Sequence, residues 1–295
     1  MRRAAALTGR NIRLFLRDRA AVFFSFLSTL ILVALYFLFI AKIYGDSMDS
    51  AGVFSGPAKN FIVYLQMMAG VMVLNSMSLS NGVFSTIADD FKSRRVDSLL
   101  LTKARGSELL LSHYVSGFLV SFFLNLLTWI AAFLLIGLLT GYWVTAGALL
   151  AVTGILAVAS LISAALMSLL TALVKSPAAL GVFGGIAGTF LGFLCGIYMP
   201  YSMLGKGPEM VGSVLPFTHL TIWLKRVLLS DAFHTLGLPA ATSNSLLGDY
   251  FSAQSIGFLG LDVPLWGMLL FCGVFALLCF AAAWRLLSKR LRVRP

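Results

Sequence analysis

"FIVYLQMMAGVMVLNSMSLSNGVFSTI", residues 61–87, carries no charged residue, and neither does the longer stretch from Tyr114 to Val174. Between them lies "ADDFKSRRVDSLLLTKARGSE", residues 88–108, with five basic and four acidic side chains. A helix needs about 20 consecutive apolar residues to cross the hydrocarbon core of a bilayer. An uncharged run of that length, a charged island and a second uncharged run therefore read as span, loop and span. The order of these three pieces decides the fold class.

Outward from that core, the pattern repeats. The chain has 295 residues, of which 59% are hydrophobic and 11% charged, against about a quarter charged in soluble domains. Six apolar runs have span length: 20–41, 61–84, 114–139, 147–173, 178–199 and 264–287. The expected fold is an all-α polytopic membrane protein with six transmembrane helices, forming one transmembrane domain over 1–295. The basic leader, the full-length first run and the lack of a small-residue cleavage site make the first span a retained anchor, not a cleaved signal.

The net charge of +11 is distributed by side. Seventeen of the 22 Lys and Arg residues fall in the N-terminal segment, the 88–113 loop, Lys175 and the C-terminal tail; the alternate loops hold only Lys42, Lys59, Lys206, Lys225 and Arg226. This is the positive-inside bias. It predicts that both termini and the island are cytoplasmic, with the 42–60 and 200–263 loops outside. The basic surplus then orients the chain and meets anionic lipid headgroups, and no nucleic-acid partner is expected.

The segment before the first span is "RNIRLFLRDRAAVFFSF". At about 100° per residue, Arg10, Arg13 and Arg17 share one face and Ile12, Phe15 and Leu16 the other. An amphipathic helix over 8–19, lying in the cytoplasmic interface and turning into the span, is predicted. The island continues a helical stripe, Phe84, Ile87 and Phe91, out of the second span and has Leu99–Leu101 behind its charges. Gly106–Ser107 breaks it; Ser107 suits a cap for the next helix, and Glu108 its first turn. Orientation needs only the basic residues of this island. Asp89, Asp90, Asp97 and Glu108 suit either a partner-docking surface or ion pairs at a solvated helix end.

In the fifth run, Gly184, Gly188, Gly192 and Gly196 recur every four residues, with Gly181 and Gly185 as a parallel pair. Such spacing makes a groove for close helix approach, within the chain or against a second copy. In the 200–263 loop, Pro216 suits a helix start, and Phe217, Leu220, Leu224 and Leu228 fall on one face. Lys225 and Arg226 make this stretch too charged to span, so it reads as re-entrant or interfacial.

Catalytic and metal signals are missing from the sequence. No phosphate-binding G-x-x-x-x-G-K-[ST], HExxH or GxSxG is present. Cys195, Cys272 and Cys279 lie in apolar runs without metal spacing, and His113, His219 and His234 are isolated. Neither a catalytic residue nor a metal ligand is assigned. Ion-coupled carriers need ionisable groups within their spans, and the runs 61–84, 114–174 and 178–199 have none. Energy for uphill transport would enter from outside the bilayer.

This layout resembles the permease subunit of type-2 ABC transporters, mostly exporters, over nearly the whole chain. The residues that carry the resemblance are "RNIRLFLRDRAAVFFSF" before span one, the charged island between spans two and three, Leu215–Pro216 with the amphipathic 217–229 stretch between spans five and six, and the basic tail. The family's island commonly reads Arg-Gly-Thr-Leu-Glu, then two Leu and Thr-Pro. Here "RRVDSLLLTKARGSELL" puts Asp97 near the acidic position and Leu99–Leu101 near the leucines. Val96 stands near the Gly, and Lys103 follows Thr102 in place of Pro.

The resemblance implies an export permease in the cell membrane of a bacterium. A separate cytoplasmic ATP-binding subunit would dock on the 88–108 coupling segment, with Asp90, Phe91, Arg94, Arg95, Asp97 and Leu100 as contact residues. A second permease copy or paralogue would complete the transporter. ATP and Mg would sit on the partner, with no cofactor in this chain. The cargo would be hydrophobic or amphipathic: a drug, peptide antibiotic, lipid or glycan. The alternatives are a membrane-embedded enzyme and a non-transporting accessory membrane protein.

Overall fold

The computed structural model describes residues 2–35, 54–96, 106–174, 176–195, 197, 206–251, 253 and 264–292. Every regular element among them is helical. The helices are α1 (Arg2–Arg17), α2 (Arg19–Leu35), α3 (Gly56–Lys92), α4 (Gly106–Thr140), α5 (Ala146–Leu173), α6 (Pro177–Leu194), α7 (Lys206–Ser213), α8 (Pro216–Thr235), α9 (Ala240–Ser245) and α10 (Leu265–Arg292), with one π turn at Leu246–Tyr250.

Five helices among the described residues are long and apolar enough to cross a membrane: α3, α4, α5, α6 and Trp266–Ser288 of α10. The helix for the first expected span, α2, is described for 17 residues, and the rest of the expected 20–41 run lies outside the described residues. The count of six spans therefore remains an expectation from sequence.

α3 is the central post. It has 37 residues, about 55 Å at 1.5 Å per residue, so it exceeds the hydrocarbon core of about 30 Å. It packs against α2, α4, α5, α6 and α8, and more lightly against α1. Its extension beyond the expected 61–84 run follows from its stripe: Ile87 and Ala88 stay buried past the apolar run, as Val83 and Phe84 are at its end.

Polar side chains join the post to its neighbours at the depth of the span. Asn75 on α3 donates to Asn125 Oδ1 on α4 at 2.9 Å and to Thr128 Oγ1 at 3.3 Å, and accepts from Thr29 of α2 at 2.6 Å. Asn125 in turn donates to the Met72 carbonyl at 2.9 Å. Ser76 of α3 and Ser163 of α5 lie 3.0 Å apart. Lipid offers no competing hydrogen bonds, so such links hold apolar helices in register, each contributing about 1 kcal/mol.

Helix ends follow local chemistry. Asp18 breaks the run between α1 and α2, and its carboxylate accepts from Ala21 N at 2.9 Å, an N-cap for α2. α1 begins at Arg2 and is longer than the expected 8–19 helix. α4 begins at Gly106, which puts Ser107 inside its first turn, not at the cap. α4 ends where Gly141 takes φ +75° and its N–H returns to the Gly137 carbonyl at 2.9 Å. A side chain at that dihedral would be strained. Thr145 then caps α5 through Ala148 N at 3.3 Å. Ser176 caps α6, and Pro177 occupies its first turn.

On the other side, α8 has Phe217, Leu220, Leu224 and Leu228 all buried. Its Asp231 accepts from Thr145 N at 2.9 Å and from the Thr145 hydroxyl, tying α8 to the α4–α5 turn. Of the two adjacent basic residues, only Arg226 is exposed. Lys225 is 1% exposed, and burial pushes its ammonium down to about 8.

Candidate functional site

Two features converge at the end of the bundle where α3 gives way to the charged island: the start of that island, and a groove between α2, α3 and α6.

Ser93 closes α3, its N–H and hydroxyl both donating to the Asp89 carbonyl, at 2.8 and 2.7 Å. Arg94 follows with φ 58°, a left-handed conformation that disfavours side-chain-bearing residues by roughly 1–2 kcal/mol. That bend turns the chain out of the helix. It brings Arg95 back to within 3.5 Å of Asp90 and 3.9 Å of Asp89 and buries Val96 completely. Arg94 itself points to the exterior.

Of the six residues assigned to the coupling segment, Asp97 and Leu100 lie outside the described residues. Asp90 is not on the surface. Its side chain is 6% exposed and accepts from Arg10 of α1 at 2.8 Å. Arg10 also donates to Asn11 Oδ1 at 3.2 Å. Asp90 thus holds the arm together from inside, and the outward charges of the described arm are Asp89, Lys92, Arg94 and Arg95. Phe91 stands edge-on to His113 with ring centroids 5.8 Å apart. It also packs on a small cluster of Leu110, Ala172 and Leu287, from the ends of α4, α5 and α10. The arm's root is therefore seated on three helices at once.

α1 lies along α4 and touches α3 and α2. Phe15 is fully buried, against the backbone of Gly82 and beside Ser25: a Cβ at Gly82 would stand 3.2 Å from the Phe15 ring and 2.1 Å from Ser25 Oγ. Of the five arginines of α1, the three expected to share one face diverge in role. Arg10 is paired with Asp90, Arg13 is exposed, and Arg17 lies at the mouth of the groove.

The groove consists of two adjoining cavities, of about 480 and 700 Å³, that share Phe24, Ser78 and Asn81. The larger one opens among Arg17, Asp18, Asp89, Asp90 and Arg95. The smaller runs deeper, walled by Thr29, Ile31, Val71, Leu74 and Met77 on one side and by Gly181, Gly184, Gly185 and Gly188 on the other. The groove thus passes from a mouth with charges of both signs to an apolar interior with a few hydroxyls and one amide.

The glycines of α6 have different surroundings. Gly184 meets the Asn81 amide, whose nitrogen would lie 2.2 Å from an added Cβ. Gly181, Gly185 and Gly188 would meet nothing within 4 Å. Gly192 is buried, and Gly196 lies outside the described residues. Among the described residues, then, most of the glycine face borders open volume.

Sequence reasoning missed the Asn75–Asn125–Thr29 links, Asn81 in the groove wall and the Asp231–Thr145 tie. The signal for the first was present: two asparagines inside otherwise apolar runs, each of which needs a partner in lipid.

The described helices form an apolar bundle with an arm seated at one end and a groove beside it. Residues 43–285 match the family described as ABC-2 family transporter protein, and the chain belongs to that family. No curated protein matches it. Membership makes the chain a transport component, not an enzyme in its own right, and implies an ATP-binding subunit as partner.

Proposed function

We propose that this chain is the permease of an ATP-driven exporter, moving a hydrophobic or amphipathic cargo out of the cytoplasm of a bacterial cell. A separate ATPase, carrying ATP and Mg, docks on the 88–108 arm. A second permease, identical or paralogous, faces the glycine side of α6 and completes the cargo path. Both termini are cytoplasmic, and the exposed Arg13 of α1 lies among lipid headgroups. The family match supports the transporter reading, and the positive-inside distribution of Lys and Arg supports the orientation.

The observation that carries the proposal is the groove. It opens beside the arm, and its lining changes from charged to apolar along its length. That graded lining suits a molecule with a polar end and an apolar body. Closure of the ATPase around ATP would shift the arm, and a helix bundle with two arrangements would convert that shift into exposure of the groove to the other side.

Docking is tested by co-purifying the tagged permease with its ATPase. Replacing Arg94, Arg95 and Asp97 together is expected to weaken recovery of the partner severalfold; undiminished recovery would remove the arm from the interface. Orientation is tested in intact cells with impermeant thiol reagents. Ser93→Cys is expected to be protected and His234→Cys labelled, and the reverse pattern would invert the topology.

A further inference from the structure

The coupling arm and α1 share a single buried carboxylate. Asp90 receives Arg10 at 2.8 Å from one side and Arg95 at 3.5 Å from the other. The two arginines come from distant parts of the chain: Arg10 lies 80 residues before Asp90, while Arg95 follows the bend at Arg94. A carboxylate with so little access to water is strongly disfavoured without a cation. The bend itself is an unfavourable backbone state, and such states persist only where their surroundings over-determine them. Here the restraints are Arg95 on Asp90 and the burial of Val96.

α1 is also joined to the groove. Asp18 ends α1 and caps α2, and α2 contributes Phe24, Thr29 and Ile31 to the groove wall. One connected route therefore runs from the arm through Asp90 and Arg10 to α1, and through Asp18 to the wall.

We propose that Arg10, Asp90 and Arg95 form a latch that transmits the position of the coupling arm to α1 and thence to the α2 wall of the groove. With Arg95 seated, the arm and α1 are locked to the same carboxylate. When the arm moves, Arg95 withdraws, the left-handed bend is released, and Asp90 is held by Arg10 alone. All three are positioning residues. The transmission half of the proposal rests on the docking of an ATPase at the arm; the seating of α1 on Asp90 does not.

The test uses the full chain in lipid nanodiscs, alone and with its ATPase. Trypsin cleavage at Arg13 and Arg17 reports release of α1. Asp90→Asn and Arg10→Ala should speed that cleavage by about tenfold, the factor that corresponds to losing one charge-assisted bond. Arg10→Lys should recover most of the protection. Arg95→Ala should leave α1 protected but lower the cargo moved per ATP hydrolysed severalfold. In the exchanged pair Arg10→Asp with Asp90→Arg, α1 should be protected again while coupling stays poor, because Arg95 would then face a like charge.

Unchanged cleavage in Asp90→Asn and Arg10→Ala would overturn the latch. Normal coupling in Arg95→Ala would overturn its transmission role. If instead the ATPase never engages the arm while α1 is released as expected, the docking reading fails and the seating of α1 stands.

Discussion

α3 and α6 are both apolar enough to cross a membrane, yet 83% of the most apolar window of α3 is buried inside the chain against 17% for α6. α3 is packed against six helices, and its two mid-helix glycines are close-packed: an added Cβ would collide with Ile197 at Gly70 and with Ser25 at Gly82. α6 leans mainly on α3, with lesser contacts to α7 and α8, and three of its glycines meet nothing. Glycine therefore serves two purposes in the same bundle. On α3 it permits contact already made within the chain. On α6 it keeps a surface open, and apolarity alone does not distinguish the two.

The sharpest way to break this comparison is to add the same side chain to each helix. Gly82→Leu would drive atoms into Ser25 and Phe15, and overpacking of this kind costs about 3 kcal/mol at the upper end of its usual range. It is expected to yield little folded protein by size exclusion in detergent. Next comes Asn75→Leu, which strips partners from Thr29 and Asn125 and is expected to lower stability by about 1–3 kcal/mol, read as a fall in the thermal unfolding midpoint. Asp231→Ala removes the acceptor for Thr145 N at the start of α5 and is expected to cost about 1 kcal/mol. Gly188→Leu is expected to change the stability of the single chain by less than about 0.5 kcal/mol but to lower transport by filling the groove. Equal damage from Gly82→Leu and Gly188→Leu would erase the distinction between the two helices.

Much of this was legible in the sequence, for identifiable reasons. Uncharged runs announce spans because a buried charge is prohibitive in lipid, and Pro216 marks a helix start that the structure uses. The length of α3 was only partly visible: its stripe through Phe84, Ile87 and Phe91 leaves the apolar run but not the protein. Asp90 reads as a surface charge because its partner lies 80 residues away, and only tertiary packing reveals that it is inside. The pairing of Asn75 with Asn125 depends on the relative register of two helices, which composition does not contain. Glycine periodicity on α6 marks a face without saying what covers it.

The central claim is that cargo in the groove and ATP hydrolysis on a partner are coupled through this chain. The most direct measurement is hydrolysis by the permease–ATPase complex in proteoliposomes, titrated with a panel of amphipathic compounds. The account predicts that at least one compound stimulates hydrolysis and is carried across the membrane, and that Gly188→Leu abolishes the stimulation while the ATPase stays bound. Stimulation and transport that persist undiminished in Gly188→Leu would contradict it.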